Sequence, residues 1–232
     1  MTHSPPPVTE HIVAAARRVL DIEARAIDAL SDRLGDDFAA AVRLVLDSTG
    51  RVIVSGLGKS GHIARKIAAT MASTGTPAYF VHAAEALHGD LGMIHRDDVL
   101  IALSNSGETA ELLAVVPLVR RQGGRTIAMT GKPDSTLARL ADVHLDAGVA
   151  TEACSLNLAP TASTTCALAL GDALAVALLD ARGFREDDFA RSHPGGALGR
   201  RLLTHVRDVM RARADVPAVG VDSTVTEALL QV

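Results

Sequence analysis

The chain has no tryptophan, one tyrosine and four phenylalanines, although 48% of its 232 residues are apolar. A core without large rings must be filled by Ala, Leu, Val and Ile, which suits helices packed on a parallel sheet. Cysteine is equally scarce. Cys154 and Cys166 are too few for a disulfide framework and lack metal-ligand spacing. A dominant sign of charge is missing too: 23 basic against 27 acidic residues leave a formal −4, well mixed, which speaks against a nucleic-acid partner. No apolar run reads as the roughly 20 residues of a membrane span. The opening MTHSPPPVTEH lacks the basic and apolar regions of a secretory signal. A soluble, cytoplasmic protein is the expectation.

What the chain does have is alternation. Residues 1–8 are Pro-rich and expected to be disordered. From Thr9 to about Asp32, apolar residues recur with helical period at Ile12, Ala15, Ala16, Val19, Leu20, Ile27 and Leu30. A second helix is expected from about Phe38 to Leu46. Short apolar runs then alternate with helical segments. Strands are expected at 51–55, 78–81, 99–103, 126–130 and 143–145, and helices at 62–73, 110–121 and 162–181. This pattern predicts right-handed βαβ units and an open α/β fold with about five parallel strands. Ligands of such sheets sit beyond the carboxyl ends of the strands, so the loops that follow strands carry the information.

The first such loop is Gly56–Leu57–Gly58–Lys59–Ser60–Gly61–His62. Its glycines formally match a dinucleotide fingerprint, but that motif expects an acid at the end of the second strand, and Glu85 comes several residues late. A P-loop would need glycine at position 53, where Ile53 stands. The remaining reading is a phosphosugar loop, with Ser60 and the loop amides facing a phosphate. The second loop, Ser104–Asn105–Ser106–Gly107–Glu108–Thr109, decides between them. One Ser at a helix start would serve as a cap. Three hydroxyls (Ser104, Ser106, Thr109) around a glycine exceed what one cap requires and suit phosphate oxygens.

Gly-x-Gly-x-Ser after one strand and Ser-x-Ser-Gly-Glu-Thr after a later one resemble the sugar isomerase (SIS) phosphosugar-binding domain. The stretches GLGKSGHIARKIAATMASTGTPAYFVHAAEALHGDLGMI, ATEACSLNLAPTASTT and RSHPGGALGRRLL are similar, more narrowly, to arabinose-5-phosphate isomerases. The resemblance implies a three-layer αβα SIS domain over 9–205, followed by the beginning of a CBS module over 206–232. The tail is read as a short strand or turn and then a helix from Val225 to Leu230. The implied activity is interconversion of D-ribulose 5-phosphate and D-arabinose 5-phosphate through an enediol, toward Kdo and lipopolysaccharide. A homotetramer with active sites shared between subunits is implied as well; Ala162–Ala181 is a candidate interface helix, and a buried intramolecular helix explains its composition equally well.

An enediol isomerisation needs a base that moves a proton between adjacent carbons and a group that stabilises the enediolate. Glu152 lies in a small-residue loop with no adjacent cation, where a solvated carboxylate is the plain reading; the resemblance, through the family's Thr-Glu motif, makes it the first choice for the base. The resemblance also marks Lys59, His88, Glu111 and His193 as catalytic, without dividing acid and base roles among them. It marks Gly75, Thr76, His82 and His88 as substrate contacts, beside Ser60, Ser104, Ser106 and Thr109. No cofactor is required by this chemistry. The resemblance adds a zinc at His82 that inhibits rather than catalyses. A non-catalytic SIS sensor would keep the hydroxyls but need not keep Lys59, Glu152 and His193. A nucleotide-dependent oxidoreductase would instead respond to NAD(P).

Overall fold

Five short runs of aliphatic residues form the strands β1 (Val52–Gly56), β2 (Ala78–His82), β3 (Val99–Ser104), β4 (Arg125–Thr130) and β5 (Val143–Asp146). All neighbours pair in parallel, in the order β2-β1-β3-β4-β5. The sheet belongs to a computed structural model that describes residues 9–211 and 216–231. The expectation of disorder for residues 1–8 lies outside the described residues.

Because successive side chains of a strand point to opposite faces, each strand feeds two cores. Val99, Ile101 and Leu103 of β3 enter one apolar cluster, and Leu100 and Ala102 enter the other. The first cluster is completed by α1 (Thr9–Ser31), α2 (Asp36–Leu46), α3 (Gly58–Ser73) and α7 (Ala162–Ala181). The second is completed by α4 (Ala83–Leu87), α5 (Ala110–Arg121) and α6 (Thr136–Leu140). Helices thus cover both faces, giving the three-layer α/β architecture expected from the alternation. The central strands β1 and β3 are buried along their whole length, as continuous apolar runs in a doubly covered sheet must be.

By length and composition α7 is apolar enough to cross a membrane, which departs from the sequence expectation that no run is long enough. Its setting in the structure is a protein core. Cys166, Leu170, Leu174, Ala175 and Leu178 are buried in the first cluster, and Asp172 on its outer face binds Lys66 of α3 at 2.6 Å. The apolarity of α7 is that of an inner helix.

The chain divides into two compact units after Phe184. The sheet and α1–α7 form the first. The second contains α8 (Glu186–Ser192), α9 (Ala197–Leu203), α10 (Val206–Val209) and α11 (Val225–Leu229). The expected SIS span of 9–205 therefore runs through this division. In the tail, α11 starts where the sequence places a helix. Thr224 Oγ1 accepts from Glu227 N at 3.3 Å while Glu227 Oε2 accepts from Thr224 N at 2.8 Å, a reciprocal cap.

Candidate functional site

β1 and β3 are neighbours in the sheet, yet the chain leaves β1 toward β2 and leaves β3 toward β4. The loops diverge there and open a crevice beyond the carboxyl ends of the strands. A cavity of about 270 Å³ occupies it. Lys59 and Ser60 line it from the loop after β1, and Ser104 and Asn105 from the loop after β3. Thr130 and Gly131 come from the end of β4, and Pro160, Ser163 and Thr164 from the approach to α7.

The site is built to receive negative charge. The N-caps of α3 and α5, Leu57 and Thr109, make no side-chain cap hydrogen bond, so the first amides of both helices keep their orphan donors. Lys59 adds an exposed cation beside them. Ser104, at the end of β3, is the hub of the second loop. Its Oγ accepts from Gly107 N at 3.1 Å and lies 2.7 Å from Thr109 Oγ1 and 3.4 Å from Ser106 Oγ. Gly107 turns the chain with φ of 66°, in the left-handed region that glycine tolerates. A Cβ there would stand 2.3 Å from Ser135 Cβ. The loop after β4 buttresses this turn: Gly131 N donates to Asn105 O, and Leu137 N to Gly107 O, both at 3.0 Å. Thr136 N donates to the Glu108 carboxylate at 2.7 Å, and this bond holds Glu108 below the ordinary carboxylate range.

Glu152 is not among the residues that line the cavity but adjoins its α7 side through Ser163, which does line it. Its Oε2 accepts from Thr161 N at 2.8 Å, Thr161 Oγ1 at 3.1 Å and Ser163 N at 3.1 Å, so it caps the start of α7. Partial burial works to raise its pKa, but the donors of Ser163 and Thr161 outweigh it and hold the carboxyl below its usual range. The loop that delivers Glu152 is itself clamped. Asn157, at φ of 53°, accepts through Oδ1 from Glu152 N at 2.7 Å and from Thr151 Oγ1 at 3.1 Å.

The other expected residues are placed unequally. Glu111 sits half-buried in the first turn of α5 and does not line the cavity. His88 is exposed at the C-terminal end of α4, also outside the cavity lining. His82 ends β2 opposite Gly56, at the same end of the sheet as the cavity, but lines a separate small cleft with His62, Arg65 and Phe80. Gly75 and Thr76 do not line the cavity. They precede β2 and so lie at the opposite, N-terminal end of the strands, where Gly75 packs on the Phe184 ring and Thr76 is buried. Within one subunit, the residues before a parallel strand stand at the opposite end of the sheet from those after its neighbour. His193 belongs to the second unit, where its ring stacks on Phe189 with centroids 4.0 Å apart. Among the described residues no three His, Cys, Asp or Glu side chains gather to hold a metal ion, at His82 or elsewhere.

Sequence reasoning missed Thr130, Gly131, Ser163 and Thr164. Ser163 is 4% exposed, and its Oγ has no hydrogen-bond partner among the described residues. The signal that marks it is the run of Ser and Thr in Pro160–Thr161–Ala162–Ser163–Thr164, at the start of an otherwise apolar helix.

The chain matches known proteins over this same region. The SIS domain family matches residues 45–177. Arabinose 5-phosphate isomerase KdsD of Pseudomonas aeruginosa is 58% identical over 219 residues, covering 94% of this chain and 67% of that protein. The protein of the same name from Escherichia coli K12 is 53% identical over 218 residues, covering 94% and 66%. The chain thus spans about two thirds of the length of these relatives. Among solved structures, Escherichia coli CFT073 c3406 in complex with A5P superposes with a TM-score of 0.78 at 42% identity, covering 81% of this chain and all of that one. With its five-stranded parallel sheet and its two hydroxyl-bearing loops, the chain belongs to the SIS-domain family, among the arabinose 5-phosphate isomerases.

Proposed function

We propose that this chain interconverts D-ribulose 5-phosphate and D-arabinose 5-phosphate, supplying the arabinose 5-phosphate that leads to Kdo and lipopolysaccharide. One observation carries the reading. The cavity at the β1–β3 crevice joins Lys59, two uncapped helix starts and the Ser104 hydroxyl cluster, in a chain 42% identical to one in complex with A5P. The phosphate is held by the Ser60 and Ser104 hydroxyls and the amides that open α3 and α5. This anchors C5 and leaves C1 and C2 toward the α7 side of the cavity. A carboxylate, Glu152 in the first place and Glu111 in the second, takes the proton from C1 of the ketose and returns it to C2 of the enediol. Lys59 offsets the negative charge of the enediolate. His88 and His193 assist ring opening of the aldose, and the neighbouring subunit of a homotetramer completes the site. The protein works in the cytoplasm, and the proton transfer asks for no cofactor.

The test is incubation with ribulose 5-phosphate, following arabinose 5-phosphate by NMR. The expected result is an equilibrium mixture of the two sugars. Absence of turnover by folded, oligomeric protein would sink the isomerase claim. Ser104→Ala removes the hub of the cradle and one hydrogen bond to a charged group. Such bonds contribute about 1.5–3 kcal/mol, so arabinose 5-phosphate should bind roughly tenfold to a hundredfold more weakly by calorimetry.

A further inference from the structure

Behind the cavity stands a residue that belongs to none of the family-like motifs. His144 lies on β5 opposite Ala128 of β4, and its Nε2 is 2.9 Å from Thr130 Oγ1. Thr130 is buried and lines the cavity. Its hydroxyl also donates to Lys132 O at 2.9 Å and accepts from Lys132 N at 3.2 Å. A hydroxyl has one proton and two lone pairs. With the proton given to Lys132 O, the second lone pair accepts from His144 Nε2–H. The turn 130–132 is thereby tied from both its own backbone and β5.

This turn is part of the site's wall. Gly131 N donates to Asn105 O at 3.0 Å, and Ala147 N donates to Thr130 O at 2.8 Å. Asn105, Gly131 and Ala147 all line the cavity. A shift of Thr130 therefore moves the wall and the support of the Ser104–Thr109 cradle together. We infer that His144 is a positioning residue of the sugar-phosphate site, acting through the Thr130 hydroxyl to fix turn 130–132 against the cradle. The inference rests on the isomerase reading of this cavity.

The surroundings of His144 favour its neutral form. Burial lowers its pKa, against the opposite pull of Asp146 and Asp37. Arg33, which pairs with Asp146 at 3.5 Å, lines the same small cleft as His144 and Asp37. A neutral imidazole has one donor and one acceptor nitrogen, and the two Lys132 bonds at Thr130 leave Nε2 the donor's place.

The experiment is a mutant cycle on the full chain, with KM and kcat for ribulose 5-phosphate and the Kd for arabinose 5-phosphate measured together. His144→Leu should raise KM and Kd about threefold to tenfold, the change that one net buried hydrogen bond makes, with kcat within about twofold of the parent. His144→Gln, which can place an amide nitrogen where Nε2 was, should restore most of the loss. In a Thr130→Val background, His144→Leu should add little further, because the shared partner is already gone. Parental KM in His144→Leu overturns the inference, as do failure of Gln to rescue and additive effects in the cycle. If His144→Leu does not fold, His144→Asn, polar but too short to reach Thr130, takes its place with the same outcomes. A parent protein without turnover would defeat the isomerase reading instead, and the Kd arm would still read the coupling.

Discussion

Glu152→Gln is expected to lower kcat by about 10²- to 10⁴-fold, the usual contribution of a positioned base, while the Kd for arabinose 5-phosphate changes little. The substitution is conservative at this site for a structural reason. Gln keeps an oxygen that can accept from Thr161 N and Ser163 N, so the start of α7 stays capped. What it removes is the ability to take a proton. NMR turnover and calorimetry read the two quantities separately, and equal losses in both would remove Glu152 as the base. The pH dependence follows from the same donors. Because Ser163 and Thr161 hold the folded carboxyl below its ordinary range, it is ionised throughout neutral pH. Its contribution to stability is present above the unfolded-state value and is lost as pH falls through the lower folded value. Thermal melts should therefore show the parent losing part of its stability at acid pH, and Glu152→Gln should show less of that dependence.

Gly107→Ala is expected to weaken sugar-phosphate binding about tenfold or more while the sheet still folds. Alanine at φ of 66° is strained, by about 1 kcal/mol or more, and its Cβ would meet Ser135 at Oγ and Cβ distances of 2.0 and 2.3 Å. Ser135 is buried and caps α6, so it cannot move aside without loosening that helix. The loop would yield instead, breaking the bond from Leu137 N to Gly107 O and displacing Ser104 from Gly107 N. A loss of at least tenfold in arabinose 5-phosphate affinity is expected, since several charge-assisted bonds depend on the loop. Far-UV circular dichroism should remain that of the parent. An alanine variant that binds normally would show that the turn does not shape the cradle.

The parts of this molecule that are legible in its sequence are those fixed by local chemistry. Apolar runs alternating with helical periods predict five parallel strands, and α7 begins and ends where its composition changes, at Ala162 and Ala181. The loops after β1 and β3 announce themselves through glycines and hydroxyls clustered at strand ends. The rest of the site comes from tertiary approach. Thr130 and Gly131 look like any strand end until the sheet order places β4 beside β3. Ser163 reads as one more small residue until α7 brings it to the cavity wall. Gly75 and Thr76, which the resemblance marks as substrate contacts, stand at the far end of the strand from this cavity. That placement was available in the sequence, because they precede β2 rather than follow it.

The hydroxyl cluster of the second loop has a consequence for how quickly and how rigidly the site can fill. Ser104 Oγ lies within hydrogen-bonding distance of both Ser106 Oγ and Thr109 Oγ1. On the proposed reading a phosphate dianion, which accepts only, would draw these O–H groups outward. That reversal is a set of rotations about C–O bonds, with the oxygens and the backbone already in place. The cradle can thus invert the polarity of its surface without moving a heavy atom, which keeps the reorganisation cost of binding small.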